Sequence, residues 1–251
     1  LNDGTRLGYG LAALDLGSHT AMPEIAGFAR HAVAIKPLDG FAARLDAIPA
    51  TAPVAIIGGG VAGAEMALAL ARRLSGRVTL IEAGDAIAQT LGPRAQAALH
   101  KALTRAGVRM LTGAQVVQVG ARSVMLRDGQ CVASALTIGI AGARAQDWLA
   151  RDLPVDQAGF VRITPTLLVE GQTTLFAAGD CAAMIHAPRP KAGVFAVRQA
   201  PVLTRNLIAA HRGQPLGRFD PQRETLKIIS LGDGSGLAQW RGLAVQGRWL
   251  L

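Results

Sequence analysis

The amino-acid sequence predicts an α/β protein: a parallel sheet covered by helices and joined to a three-stranded antiparallel meander. Three observations carry that expectation. Residues 54–65 pass from a short apolar strand through Gly58-Gly-Gly60 into an Ala- and Leu-rich helix. Short apolar runs then alternate with helical periods as far as Leu111, the order that builds βαβ units. Further short strands follow, with Asp128-Gly129 between two of them, a dipeptide whose backbone suits a tight hairpin.

In chain order, Asn2-Asp3-Gly4 reads as a turn and Leu11 to Leu16 as an apolar strand ending at Gly17-Ser18. Lys36-Pro37 starts a helical pattern to Ile48, and Pro49 to Pro53 is a linker. Val54 to Ile57 is a strand, and the helix after the glycines sets Met66, Leu70 and Leu74 on one face. Val78 to Ile81 is the second strand, Pro93 to Ala106 a helix and Arg109 to Leu111 the third strand. Gln115 to Val119, Ser123 to Leu126 and Cys131 to Ile140 form the meander, which closes at Gly139 to Gly142. Beyond it, Asp147 to Ala150 is helical, Thr174 to Ala177 a strand and Ala192 to His211 a helix. Alternating apolar residues around Asp233-Gly234 predict a last hairpin.

Composition bounds the function. A chain of 251 residues makes one or two domains, and 50% hydrophobic content supplies a core. The longest apolar stretch, Val54 to Ala71, is broken by four glycines and Glu65 and is no membrane span. Cys131 and Cys181 form no CxxC pair, so a disulfide framework is not expected and a reducing cytoplasm is. The five histidines show no ligand spacing, and no metal site is expected. The net charge of +9 fits either a solvated basic surface or anionic partners such as pyrophosphates or a membrane face. The arginines are scattered without aromatic interleaving, which argues against nucleic acid.

Gly58, Gly60 and Gly63 form GxGxxG directly after a buried-type strand and at the opening of a helix. The first glycine allows the tight turn, the second lets a pyrophosphate approach the backbone, and the third lets helix and strand pack closely. Free amides and the dipole at the helix start then hold phosphate. Glu82 ends the second strand about 20 residues on, where an acid accepts from the adenine ribose hydroxyls. A carboxylate there repels a 2′-phosphate, and Ala83-Gly84 supplies no arginine, so NAD(H) is preferred over NADP. Glu65 has two readings: a first-turn acid favoured by the helix dipole, or a catalytic carboxylate near a redox centre.

A second signature, Leu175-Phe-Ala-Ala-Gly-Asp180, lies far downstream. Together with Gly58 to Glu65, Glu82 and Gly139-Ile-Ala-Gly142, it resembles the FAD- and NAD(P)-dependent pyridine nucleotide-disulfide oxidoreductase superfamily. Within it the chain is similar to type II NADH dehydrogenase-like flavoproteins. It is most similar to the flavoprotein module fused ahead of selenide, water dikinases, on Leu14 to Ser18, Val33 to Pro37, Lys191 to Gln199 and Ser230 to Asp233.

The resemblance implies a Rossmann-like NAD-binding domain (51–144) inserted into a partial FAD-binding domain of the same type (1–50 and 145–215), with 216–251 starting a C-terminal domain. It also implies site roles. Asp180 would bond the flavin's ribityl chain, with Ala178 and Gly179 allowing close approach, and Gly142 would lie over the NAD pyrophosphate. Glu65 would sit near the nicotinamide. Lys191 and Gln199 would approach the flavin ring, a solvated first-turn lysine being the alternative for Lys191. Cys181 reads as a small buried filler and Cys131 as core. The implied activity is hydride transfer from NADH to FAD and on to an unknown acceptor, a quinone among the options. The alternative is a non-catalytic NAD(H)-binding regulatory module of a selenide, water dikinase fusion protein. The family's own FAD glycine turn has no counterpart before residue 53, so the chain is expected to be truncated and to hold FAD weakly or not at all. A homo-oligomer, or a peripheral position at the inner face of the membrane, would also fit the resemblance.

Overall fold

In a computed structural model, residues 5–20, 25–35, 38–75, 77–140 and 142–250 are described; the expected turn at Asn2-Asp3-Gly4 and the Lys36-Pro37 helix start lie outside them. The chain divides into two compact units, 20–142 with 224–251 and 1–19 with 143–223.

The larger unit is built on a five-stranded parallel sheet. Val54–Ile57 lies at its centre with Val78–Ile81 and then Arg109–Leu111 to one side. Leu136–Gly139 and then Ala32–Ala34 lie to the other. All four residues of Val54–Ile57 are buried, because a parallel strand is covered on both faces. Its alternation divides them cleanly. Val54 and Ile56 pack with Ala64, Leu68, Leu80, Leu99 and Leu103, from helices Val61–Arg73 and Pro93–Arg105 and the strand Val78–Ile81. Ala55 and Ile57 pack on the other side with Val116, Val119, Val124, Leu126 and Val132 of the antiparallel meander. Each such fully buried aliphatic side chain contributes about 1.5–3 kcal/mol, so the central strand is anchored from two directions.

One expected strand divides here. The predicted single strand from Cys131 to Ile140 is two: Cys131–Ala133 pairs with Ser123–Leu126, and Leu136–Gly139 joins the parallel sheet. The chain changes partners at Ser134-Ala135, where Ser134 N donates to Arg122 O and Ala135 N to Pro53 O. The buried Ser134 hydroxyl bonds Thr137 and accepts from Ala55 N, which satisfies the crossing. Ala32–Ala34 hydrogen-bonds as the outer strand of the parallel sheet, within the compact unit that begins at residue 20.

Residues 224–251 belong to this larger unit as well. Lys227–Ser230, Gly236–Trp240 and Leu243–Gly247 form an antiparallel sheet, one strand more than the predicted hairpin. Its inner face buries Ile229 and Leu237 on the two helices. Ile228, Val245, Trp240 and Leu243 share the opposite face by register, and each is about half exposed or more.

The smaller unit pairs Ala12–Leu14 with Leu175–Ala177 and Val161–Ile163 with Ala182–Met184, both parallel. Its core gathers Val161, Ile163, Leu167, Val169, Phe176 and Cys181, with Val202, Leu203 and Leu207 of helix Gly193–His211 against it. Buried Asn206 ties that helix to the loops: its amide donates to Thr166 O and Gly217 O and accepts from Gly217 N, each at 2.8 Å. Among the described residues no helix is long and apolar enough to cross a membrane.

Candidate nucleotide sites

In the larger unit the C-terminal edge of the parallel sheet collects the predicted glycines. Strand order reverses beside Val54–Ile57, with later strands lying on both sides of it. Such a switch point opens a crevice for ligand. Gly58 leaves the strand with φ +112°, a conformation reserved for glycine, and its N–H donates to Ile81 O. A side chain on Gly63 would strike the Gly58 carbonyl, so only glycine lets helix and strand approach this closely. Gly60 caps the helix in an extended conformation without a side-chain bond, and a Cβ built on it meets nothing within 4 Å. Ala64 N reaches Gly60 O, which leaves Val61, Ala62 and Gly63 N–H without intrahelical acceptors. Free amides at the positive end of a 13-residue helix, beside an open cradle, fit a pyrophosphate.

Glu82 stands next to this turn. Its Oε2 accepts from Gly59 N at 2.6 Å and its Oε1 from Gly84 N at 2.7 Å. A carboxylate has about four acceptor positions, so lone pairs remain for a diol. Gly59, outside the GxGxxG pattern itself, is also constrained: a Cβ there would sit 2.6 Å from both Glu82 Cβ and Ile87 Cδ1. The run of three consecutive glycines is its signal in the sequence. A cleft of about 420 Å³ adjoins the loop after Glu82, lined by Asp85, Ala86, Ile87, His100 and Thr112 among others. Gly142, with φ +60°, follows the strand Leu136–Gly139 and so lies toward the same sheet edge. Glu65 stands in the second turn of the helix and not, as expected, in its first; it is half-buried and accepts from Ser230 N at 2.8 Å, tying the glycine-turn helix to strand Lys227–Ser230.

The smaller unit holds the second set. Gly179 (φ +69°) turns the chain after Leu175–Ala177, and its N–H donates to Gln199 Oε1 at 2.7 Å. A side chain on Gly179 would strike the Asp15 carboxylate. Asp180 Oδ2 accepts from Ser18 Oγ at 3.3 Å. Lys191 Nζ donates to Ala182 O at 2.6 Å and lies 3.8 Å from the centre of the Phe160 ring. Burial pushes the ammonium pKa below its usual range, opposed by the carboxylates of Asp156 and Asp180. Gly179, Asp180, Lys191 and Gln199 thus border one cleft of about 250 Å³, with Phe160 and Phe195 in its wall. An acceptor, a cation, a buried amide and aromatic rings around one cleft fit the polar chain and the ring of a flavin.

Cys181 is buried, as expected, and its thiol donates to Ala178 O at 3.1 Å. Burial raises its pKa, which disfavours the nucleophilic thiolate. Cys131, expected in the core, is exposed, because the alternation of Cys131–Ala133 buries only Val132.

Comparison with known proteins identifies a family. Residues 2–200 match the model of the pyridine nucleotide-disulphide oxidoreductase family. An NADH dehydrogenase-like protein of Mycobacterium tuberculosis is 32% identical over 202 residues, covering 72% of this chain and 50% of the relative. An NADH dehydrogenase-like protein of Bacillus subtilis is 27% identical over 237 residues, covering 92% and 65%. A crystal structure of an FAD-dependent pyridine nucleotide-disulphide oxidoreductase from Desulfovibrio vulgaris superposes with a TM-score of 0.76 at 25% identity, over 92% of this chain and 60% of that one. The chain therefore spans about half to two thirds of the length of these relatives. With the glycine turn, its acid and the Gly179-Asp180 turn in place, the chain belongs to the pyridine nucleotide-disulphide oxidoreductase family.

Proposed function

We propose that this chain is the nucleotide-binding part of an NADH-oxidising flavoprotein. The observation that carries the reading is the open glycine cradle with Glu82 at its rim. Val61 to Gly63 N–H would hold the pyrophosphate, Glu82 the adenine ribose, and Gly142 would close over the phosphates. The same carboxylate disfavours a 2′-phosphate, so NADH is bound in preference to NADPH. In the second cleft Asp180 would accept from the ribityl hydroxyls, Gly179 would permit close approach, and Lys191 would set a cation beside the ring. When both cofactors are bound, the chemistry they supply is hydride transfer from nicotinamide to flavin. Glu65 would orient the helix start beside the reacting rings through its bond to Ser230. The electrons then pass to a quinone or another acceptor in a reducing cytoplasm. With one glycine turn for two dinucleotides, this chain by itself holds FAD weakly.

The test is an anaerobic titration of the chain with NADH in the presence of added FAD. NADH binding tighter than NADPH, with little loss of oxidised-flavin absorbance, is expected. Equal binding of the two nucleotides overturns the cofactor assignment, and rapid full bleaching overturns the weak-FAD statement. Tight NADH binding without flavin reduction in a full-length relative would favour a regulatory role instead.

One observation favours a further reading, peripheral attachment to an anionic membrane. The outer face of the C-terminal sheet is apolar where an antiparallel sheet facing water is ordinarily polar. Arg241 stacks on Trp240 at that face, a pairing suited to headgroups. Co-sedimentation with phosphatidylserine vesicles, lost on Trp240→Ser with Leu243→Ser, would support it. Recovery in the supernatant at low salt would refute it.

A further inference from the structure

We infer that a second anion site, separate from the glycine turn, lies in the larger unit between the helices Val61–Arg73 and Pro93–Arg105 and the turn after Ser230, and that it takes a small dianion such as a phosphate ester or a dicarboxylate. A cleft of about 220 Å³ is lined there by Leu68 and Arg72 of one helix and by Ala98, Lys101, Ala102 and Arg105 of the other. These positions recur at three- and four-residue spacing, so each set shares one helix face. Alanines at 98 and 102 leave the space, and the long cations stand around it.

The remaining wall is rigid. Leu231 is buried and its N–H donates to Ser235 O at 2.9 Å. Gly232 adopts φ +73° against the helix, where an added Cβ would lie 3.0 Å from the Leu68 carbonyl. Asp233 is the one carboxylate at the cleft among the described residues. Its Oδ1 already accepts from Ser235 N and Oγ; these bonds, with a smaller contribution from the Arg72 charge, lower its pKa below the usual carboxylate value. Arg72, Lys101 and Arg105 form no ion pair with any described residue. Three cations against one carboxylate leave a net positive field over an apolar floor.

Helix dipoles account for Arg72 and Arg105, which stand in the last turns of their helices. They do not account for Lys101 one turn earlier, nor for the alanine-lined cavity. Three charges set around a floor of about 220 Å³ suit a small ligand. The ligand is therefore compact, with two or more negative charges reached by Arg72, Lys101 and Arg105 and a small body over Ala98 and Ala102. Arg72 and Leu68 belong to the helix that starts at the glycine turn, so occupancy of this cleft bears on the element that would hold the pyrophosphate.

The experiment uses pyrophosphate as probe, with saturating NADH present to fill the first anion site. Amide chemical shifts are followed by NMR. Saturable shifts at Ala102, Ala106, Leu231 and Asp233 are expected. Lys101→Gln with Arg105→Gln should weaken them at least about tenfold, since charge-assisted bonds carry the binding. Ala98→Leu should weaken them equally while keeping every charge. Arg122→Gln with Arg127→Gln, on the distant meander, should leave them unchanged. Shifts that do not saturate, that map to the glycine turn alone, or that the meander pair weakens as much as the cleft pair overturn the site. Retained binding in Ala98→Leu reduces it to diffuse surface charge and overturns it too. The amide spectrum of each variant reports whether it has folded.

Discussion

Glu82→Gln separates recognition from support. In the folded chain each carboxylate oxygen accepts one turn amide, Gly59 N at 2.6 Å and Gly84 N at 2.7 Å. An amide side chain offers one acceptor oxygen, and its NH₂ must face the other N–H. One charge-assisted bond is lost and the survivor weakens; at about 1.5–3 kcal/mol per such bond, discounted because Glu82 is half-buried, the ligand-free chain should lose about 1–2 kcal/mol. In a domain of this size that lowers Tm by about 2–4 °C per kcal/mol. NADH loses a charged acceptor for its ribose diol, another 1.5–3 kcal/mol, or about ten- to hundredfold in Kd. NADPH loses the same acceptor but is relieved of repulsion against its 2′-phosphate, so its affinity changes far less and the preference for NADH narrows. Calorimetric titration of both nucleotides against both proteins, with Tm measured without ligand, reads all three quantities. Wild-type NADH affinity in a variant with a lowered Tm would show that Glu82 only braces the turn. Equal losses for the two nucleotides would leave the ratio unchanged and refute the 2′-position argument.

Other substitutions test neighbouring claims. Gly63→Ala places a methyl on the Gly58 carbonyl, backbone that cannot yield; about 1–3 kcal/mol of stability and more than tenfold in NADH affinity should go, read by urea unfolding and titration. Glu65→Ala leaves Ser230 N without its acceptor and should cost about 1–2 kcal/mol. Glu65→Gln keeps an acceptor and should restore stability. Asn206→Leu orphans Thr166 O, Gly217 O and Gly217 N together, for about 3 kcal/mol; a loss under 1 kcal/mol would mean water replaces the amide. A thiol reagent should label exposed Cys131 in the native protein and Cys181 only on unfolding. Because burial raises the Cys181 pKa above its ordinary 9.0, the folded state favours the thiol. That contribution is complete below pH 9 and fades as pH climbs through the folded value, so the urea midpoint should fall above pH 9 and fall less in Cys181→Ala.

The glycine turn was legible because its chemistry is local. Gly58, Gly60 and Gly63 each answer a constraint set within eight residues, and Glu82 directly follows the next strand. The meander was legible through Asp128-Gly129, although its last strand ran too long: Cys131 to Ile140 is uninterrupted in propensity, and only the remote partners Arg122 and Pro53 divide it. Ala32–Ala34 is not legible as a strand for the same reason. Three small apolar residues directly after a one-turn helix carry no period of their own, and their strand exists because Leu136–Gly139 offers an open edge.

The second cleft shows how far side-chain placement outruns spacing. Lys191 lies before the helix that carries Gln199, so helical spacing does not relate the two and neither shows a partner in sequence. In the fold they converge through backbone: Lys191 on the Ala182 carbonyl and Gln199 on the Gly179 amide. A Gly-Asp turn therefore has both flanks held by the segment that follows it, before any ligand arrives. A lysine held against a carbonyl and an aromatic ring is desolvated, and a desolvated cation beside Asp180 is a stronger electrostatic partner than the same group in water. Replacing Lys191 by Met would remove that field while keeping the stem over Phe160. Flavin affinity should then fall more than Tm, and the reverse order would reassign Lys191 from ligand binding to holding the turn.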